Sequence, residues 1–73
     1  MMSKFVELIK RKYYRGGYIS VNMCVSIDDI ARVVECMDDY GCTNIITKDG
    51  EQHTLNERYG DVVKKITQAE RDE

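Results

Sequence analysis

A strand–turn–strand–helix pattern over residues 42–66 constrains the fold of this 73-residue chain more than any other feature. Residues 42–48 have the β-branched content of a strand, Asp49-Gly50 is a strong signal for a tight hairpin turn, and residues 51–55 supply a second strand. An apolar stripe at helical spacing follows, formed by Tyr59, Val62, Val63, Ile66 and Ala69. The pattern predicts an antiparallel sheet closed by a C-terminal amphipathic helix, and it predicts no chemistry.

The ends of that helix have their own signals. Asn56 is a residue type that caps helices, so the sequence predicts an N-cap there and a helix that begins at Glu57. Residues 67–73 are almost entirely polar, and we expect this segment to fray.

The first third of the chain is typical of another hairpin. Residues 18–23 alternate large apolar with polar side chains, as a strand with two different faces does. Gly16-Gly17 takes positive φ freely and suits a tight reversal, so we predict a hairpin over residues 4–23. A short helix over residues 4–14 is the rival, because part of that segment also fits helical spacing.

The middle of the chain allows two interpretations. In residues 27–37 the apolar residues recur at helical spacing and would share one face, which indicates a helix. Alternatively, residues 31–37 form a strand that turns through residues 38–41 and pairs with residues 42–48. We favour the second interpretation. It gives a single α+β domain over residues 1–73, a hairpin meander of four to five strands with a C-terminal helix, and it leaves the helix over 27–37 as the alternative.

Size and composition limit the function classes. A chain this short buries only about 60% of its unfolded surface, so a second copy is a common source of added stability, and we expect a homo-oligomer. No apolar run is long enough to span a membrane, and the N-terminus lacks the apolar core of a secretory signal. We therefore expect a cytoplasmic protein whose three cysteines are reduced thiols.

One segment differs from ordinary scaffold. Four cations and three tyrosines converge on the glycine turn: Lys10, Arg11, Lys12, Tyr13, Tyr14, Arg15 and Tyr18. Cations neutralise phosphates or carboxylates, and aromatic faces stack on flat ligands. This segment is the candidate binding surface for a protein partner or a nucleotide. The competing interpretation is a solvated turn whose lysines discourage edge-to-edge pairing.

Other constellations predict no site. Cys24, Cys36, Cys42 and His53 lack the closely spaced pair that zinc sites in small domains show, so we expect no metal. The adjacent carboxylates Asp28-Asp29 and Asp38-Asp39 fall in turns, where neighbouring side chains point apart. The sequence contains no phosphate loop or nucleophile motif, and we expect neither catalytic residues nor a cofactor.

The order of these segments resembles two families of small domains. Phe5–Leu8, Ile30–Glu35, Thr43–Gly50 and Val62–Ile66 match the strand, "I-x-x-V-E", "T-x-I-x-x-x-D-G" and "V-x-x-K-I" segments of short FlbD-like proteins from flagellar operons. The same middle is similar to the core of LytTR-type DNA-binding domains. Those domains continue into a further strand that contacts DNA, and this chain has no counterpart to it. Both resemblances imply the sheet-and-helix architecture.

Three function classes follow from these observations. The first is a non-enzymatic adaptor that binds a protein partner and assembles with itself. The second is a sequestration protein, of the kind that phages and mobile elements encode, which binds a nucleotide or another phosphate-bearing molecule. The third is a nucleic-acid-binding regulator, which the net charge of −2 disfavours.

Overall fold

The computed structural model describes residues 4–37 and 41–71, which form a five-stranded antiparallel sheet and one helix. The strands are β1 (Phe5–Tyr14), β2 (Gly17–Ser26), β3 (Ile30–Glu35), β4 (Thr43–Thr47) and β5 (Gln52–Leu55), and the helix is α1 (Tyr59–Arg71). Their order across the sheet is β2-β1-β5-β4-β3. The predicted α+β architecture is confirmed.

The first hairpin is longer than predicted and turns one residue earlier. β1 and β2 pair along their whole length, and Tyr14 lies opposite Gly17. The two turn residues are Arg15 and Gly16, with φ of 49° and 82°, the positive values that a two-residue hairpin turn requires. The prediction of a Gly16-Gly17 turn is wrong, because Gly17 already belongs to the ladder. The rival helix over residues 4–14 is wrong as well.

Residues 27–37 contain no α-helix. Ile27–Asp29 form a single 3₁₀ turn, and β3 then pairs with β4, with Val33 opposite Ile45. The β-branched residues of this segment fit the pleated surface, and pairing with a buried strand outweighs the helical spacing. The strand interpretation is confirmed, while residues 38–40 of the predicted turn lie outside the described residues.

The core lies between the sheet and α1. Its buried members come from the facing surfaces of four strands, β1, β2, β4 and β5, and of the helix: Val6, Leu8, Val25, Ile45, Leu55 and Val62. Met23, Ile27, Ile30, Val33, Ile66 and Ala69 pack around them. The helix stripe predicted from spacing thus supplies one fully buried side chain, Val62, and a partly buried margin.

The helix begins later than predicted and extends into the polar C-terminal segment. Asn56 does not cap it, since α1 begins at Tyr59. At the other end α1 continues through the polar residues to Arg71. The fraying of residues 67–73 stays a prediction. Ala69 packs against the core, and the Lys4 ammonium donates to the Glu70 carbonyl oxygen, so this last turn has tertiary support.

The cysteines depart from the expectation of three reduced thiols. Cys36 and Cys42 form a disulfide across the end of the β3–β4 pair, with their Cα atoms 5.4 Å apart. The main chain already pairs here, because the Cys36 amide donates to the Cys42 carbonyl oxygen. Cys24 is a free thiol and is exposed. In the described part of the chain, no helix is long and apolar enough to cross a membrane.

Candidate functional site

The outer half of the first hairpin projects from the sheet. β5 meets β1 only where Lys10 lies opposite Leu55, so Arg11–Tyr14 have β2 as their only neighbouring strand among the described residues. The molecule consequently measures 42 × 21 × 20 Å. We call residues 10–20 the hairpin tip; it contains every candidate binding residue predicted from the sequence.

Three of those residues meet on the side of the sheet that α1 leaves open. Tyr13 and Tyr18 lie opposite each other, and their rings make an edge-to-face pair with centroids 5.6 Å apart. The Arg11 guanidinium lies 5.6 Å from the Tyr18 ring centroid. Tyr13 and Tyr18 are still 65% and 69% exposed, so this cluster is ordered but uncovered. Tyr and Arg are among the side chains enriched at protein interfaces.

The remaining candidates lie on the opposite side of the tip or in the turn. Lys12 shares the α1 side of the sheet with Ile19, which lies opposite it, and both are exposed. The Arg15 guanidinium stacks over the Tyr14 ring at 5.2 Å. Lys10 is partly buried at the base of the tip. The seven residues therefore form two separate faces, not one cluster.

Residues 56 and 57 hold the hairpin where it leaves the sheet. The Asn56 side-chain oxygen accepts from the Arg11 guanidinium at 2.8 and 3.2 Å, and its amide donates to the Ser20 hydroxyl at 2.9 Å. The Asn56 main-chain amide donates to the Ile9 carbonyl oxygen. One residue thus ties both strands of the hairpin to the body, which fixes the direction of the tip.

Glu57 is the second tie. Its side chain is only 8% exposed, and one carboxylate oxygen accepts from the Ile9 amide at 2.8 Å. The other oxygen accepts from the Lys65 ammonium on α1. Its carbonyl oxygen accepts from the Thr43 hydroxyl at 2.8 Å. Sequence reasoning missed both residues, because it assigned Asn56 and Glu57 to the start of the helix.

The tip and the body carry opposite charge. Lys10, Arg11, Lys12 and Arg15 give residues 10–20 a charge of +4, since that segment contains no acidic residue. The chain has a net charge of −2, so the rest of the molecule carries −6. A positive projection on a negative body attracts and orients acidic surfaces.

A small cavity of about 220 Å³ lies at the opposite end of the sheet, beside the β4–β5 turn. It is lined by Val25, Asp29, Thr47, Lys48, Asp49, Glu51 and His53. The His53 Nδ1 atom is buried and has no hydrogen-bond partner in the part of the chain that the structure describes, and the His53 Nε2 atom lies 3.6 Å from the Glu51 carboxylate. Within residues 4–37 and 41–71, no three His, Cys, Asp or Glu side chains are placed to hold a metal ion.

The β4–β5 turn gives a prediction about acid stability. The Thr47 hydroxyl donates to the Asp49 carboxylate, and this bond, with help from the Glu51 amide, holds the pKa of Asp49 below its ordinary value of 3.8. A carboxyl whose pKa is lower when folded stabilises the protein above its unfolded pKa, and that contribution disappears as the pH falls through the folded pKa. We expect Asp49→Asn to flatten the loss of stability between about pH 5 and pH 3.

Urea unfolding of the parent protein and of Asp49→Asn at these two pH values measures how much stability each loses. Glu7→Gln is the matched control, since Glu7 is exposed and its carboxylate accepts no hydrogen bond from the described residues. A pH profile of Asp49→Asn that coincides with the parent protein would contradict the prediction.

Comparison with known proteins does not assign the chain to a family. No family model, no curated protein and no solved structure matches this chain. The geometry of the tip, its anchors and the sheet edges is therefore the basis for inferring a function.

Proposed function

We propose that the protein is a non-enzymatic cytoplasmic adaptor that binds an acidic protein partner through the hairpin tip and assembles with itself. The observation that carries the proposal is a projecting, anchored hairpin with a charge of +4 and three uncovered tyrosines. A pre-ordered surface loses little conformational entropy on binding, which favours its use as a contact. The resemblance to FlbD-like proteins supports the architecture of this proposal and supplies no partner.

Protein recognition explains the tip better than nucleotide sequestration. The tyrosines of the Arg11–Tyr13–Tyr18 cluster are mostly exposed on a projecting hairpin, whereas small-molecule sites are concave and enclose most of the ligand. The cavity beside His53 is at the other end of the sheet and is lined by three carboxylates, which repel phosphate. A cytoplasmic location is compatible with the disulfide position, because main-chain pairing of β3 and β4 also brings Cys36 and Cys42 together as thiols.

Binding to defined probes tests the proposal. We expect a short synthetic peptide of alternating Glu and Leu to bind more tightly than ATP or a single-stranded oligonucleotide in calorimetric titrations. Tyr18→Ala should weaken peptide binding about tenfold, the loss of about 1.4 kcal/mol expected from truncating an interface anchor. The double substitution Lys12→Ala/Arg15→Ala should also weaken peptide binding, and this loss of affinity should be larger at low salt than at high salt.

The control removes the same amount of positive charge from another part of the molecule. Lys64→Ala/Arg71→Ala removes two exposed cations from α1 and should leave peptide binding unchanged. Tighter binding of ATP would favour sequestration. Tighter binding of the oligonucleotide, with a steep salt dependence, would favour nucleic-acid recognition. Either result would overturn the adaptor proposal.

A further inference from the structure

The two edge strands of the sheet differ in their protection against pairing. β3 has six residues, a register irregularity between Ile30 and Arg32, and charges at Arg32 and Glu35. β2 has ten residues in regular register and contains neither a charge nor a proline. Natural edge strands are normally short, irregular or charged, because an unprotected edge pairs with another strand. β2 has none of these protections.

The hydrogen bonds of β1 show which backbone groups of β2 point outward and can pair with another strand. The Ile9 amide donates to Glu57 and the Ile9 carbonyl oxygen accepts from Asn56, so both Ile9 groups point away from β2. Ile9 lies opposite Asn22, which is therefore a pair without mutual hydrogen bonds. The peptide groups of Asn22 then point outward at the open edge. Alternation along the strand gives Tyr18, Ser20, Cys24 and Ser26 the same orientation.

We propose that a second copy of this chain pairs its β2 with β2 in antiparallel orientation, about a two-fold axis at Asn22, so that the two sheets become one. A two-fold axis at this position satisfies the outward peptide groups of both strands with each other. This inference names the surface for the self-assembly in the proposed function and otherwise rests on separate observations.

Side-chain complementarity favours a second copy over another peptide. In this register, Val21 lies beside Met23 of the partner subunit and Ile19 lies beside the partner subunit's Val25. Ile19 is 45% exposed and Val21 is 37% exposed, because their half of β2 projects beyond α1. The partner's half of β2 beside them contributes to its own core. The exposed Ile19 and Val21 of each copy thus lie next to core residues of the other copy. Dimerisation therefore removes additional apolar surface from water.

Charge also favours this arrangement. The same register places the Arg15 turn of one copy beside Asp28 and Asp29 of the other. Asp28 and Asp29 are exposed, and their carboxylates make no hydrogen bond or ion pair within the described ranges. Because β2 itself is uncharged, no like charges meet along the seam. Stacking of the open sheet faces is less favourable, since Asn44 and Thr54 form a polar hydrogen-bonded pair in the centre of that face.

The arrangement has a consequence for binding. The two tips point to opposite ends of the continuous sheet, about 40 Å apart for a twelve-residue offset at about 3.3 Å per residue. The Arg11–Tyr13–Tyr18 cluster of each copy stays on the open side of the sheet. The dimer therefore offers two equal sites, and a partner with two acidic segments gains avidity from both.

Charge-swapped variants test the seam. Asn22→Lys and Asn22→Glu each place like charges opposite each other, and we expect each to raise the dimer Kd about fivefold or more in sedimentation equilibrium. Mixing the two variants should restore dimers, because opposite charges then face each other. Val34→Lys introduces the same charge on β3, the other edge, and should leave dimerisation unchanged.

Hydrogen exchange of the parent protein gives a second measurement. Amides of Tyr18, Ser20, Asn22 and Cys24 should become protected as concentration rises, while the already paired amides of Ile19 and Val21 change little. A parent protein that stays monomeric at high micromolar concentration would overturn the inference. So would dimers that resist both Asn22 variants and dissociate on Val34→Lys. Loss of peptide binding by Tyr18→Ala in an intact dimer would leave the seam standing and bear only on the tip.

Discussion

Leu8→Ala is expected to lower the free energy of unfolding by about 2–5 kcal/mol, the range for truncating a fully buried leucine. Leu8 is 0% exposed and packs at the centre of the core, with Ile45, Leu55 and Val62 in the same cluster. A domain of this size has a total stability of about 4–11 kcal/mol. The substitution should therefore remove a large part of the stability and leave a measurable unfolded population.

Urea unfolding followed by circular dichroism measures this loss. Val34→Ala is the matched control, since Val34 also lies in a strand of the sheet but is 42% exposed. We expect that control to cost less than about 1 kcal/mol. Equal costs for the two variants would show that the sheet–helix contact does not form the core.

Glu57→Ala is expected to cost about 1–3 kcal/mol, because it leaves the partly buried Ile9 amide without its acceptor. The variant also loses the ion pair with Lys65, but the Lys65 side chain is 39% exposed, so its ammonium is solvated when released. The missing hydrogen bond therefore dominates the cost. Since Glu57 anchors β1 where the tip begins, the tip amides should also become more mobile on the nanosecond timescale.

Urea unfolding gives the stability change, and ¹⁵N relaxation gives the mobility of the tip. Glu51→Ala is the matched control, because the Glu51 side chain is 69% exposed and its carboxylate lies 3.6 Å from the His53 Nε2 atom without holding a strand in place. It should change stability by less than about 0.5 kcal/mol and leave the tip order unchanged. A tip as rigid in Glu57→Ala as in the parent protein would contradict the anchoring role.

The sequence predicts the strands well because their signals are local. Asp49-Gly50 supplies the turn chemistry of the β4–β5 hairpin, and Gly50 adopts the expected positive φ of 90°. Alternation in residues 18–23 predicts the two faces of β2 for the same reason. These patterns depend only on neighbouring residues, so they are readable without knowledge of the tertiary structure.

The anchors of the tip depend on contacts between distant residues. Asn56 and Arg11 are 45 positions apart, and Glu57 and Ile9 are 48 positions apart. A local rule assigns Asn56 to a helix cap, because Asn has that preference in isolation. In the folded chain the Asn56 side-chain amide instead forms hydrogen bonds with the hairpin, and the helix begins later, at Tyr59. The disulfide between Cys36 and Cys42 likewise depends on the pairing of β3 with β4, which the spacing of the cysteines does not reveal.

The sequence predicts the composition of the candidate site but not its geometry. All seven residues lie in the hairpin tip, as expected from their proximity in the chain. Their division into two faces follows from alternation along the strands, and the register places Tyr13 opposite Tyr18 and Lys12 opposite Ile19. That register is set by the Arg15-Gly16 turn. A turn at Gly16-Gly17 would shift the pairing and separate the tyrosines.

The most direct test of the central claim is a ¹⁵N-resolved titration of the protein with the alternating Glu–Leu peptide. We expect saturable shifts in the amides of the tip, largest from Tyr13 to Ile19, and almost none at the amides lining the His53 cavity. The shifts should decrease with added salt, because the tip carries the positive charge. Shifts centred on the cavity or on α1, with an unchanged tip, would contradict the assignment of the hairpin tip as the binding surface.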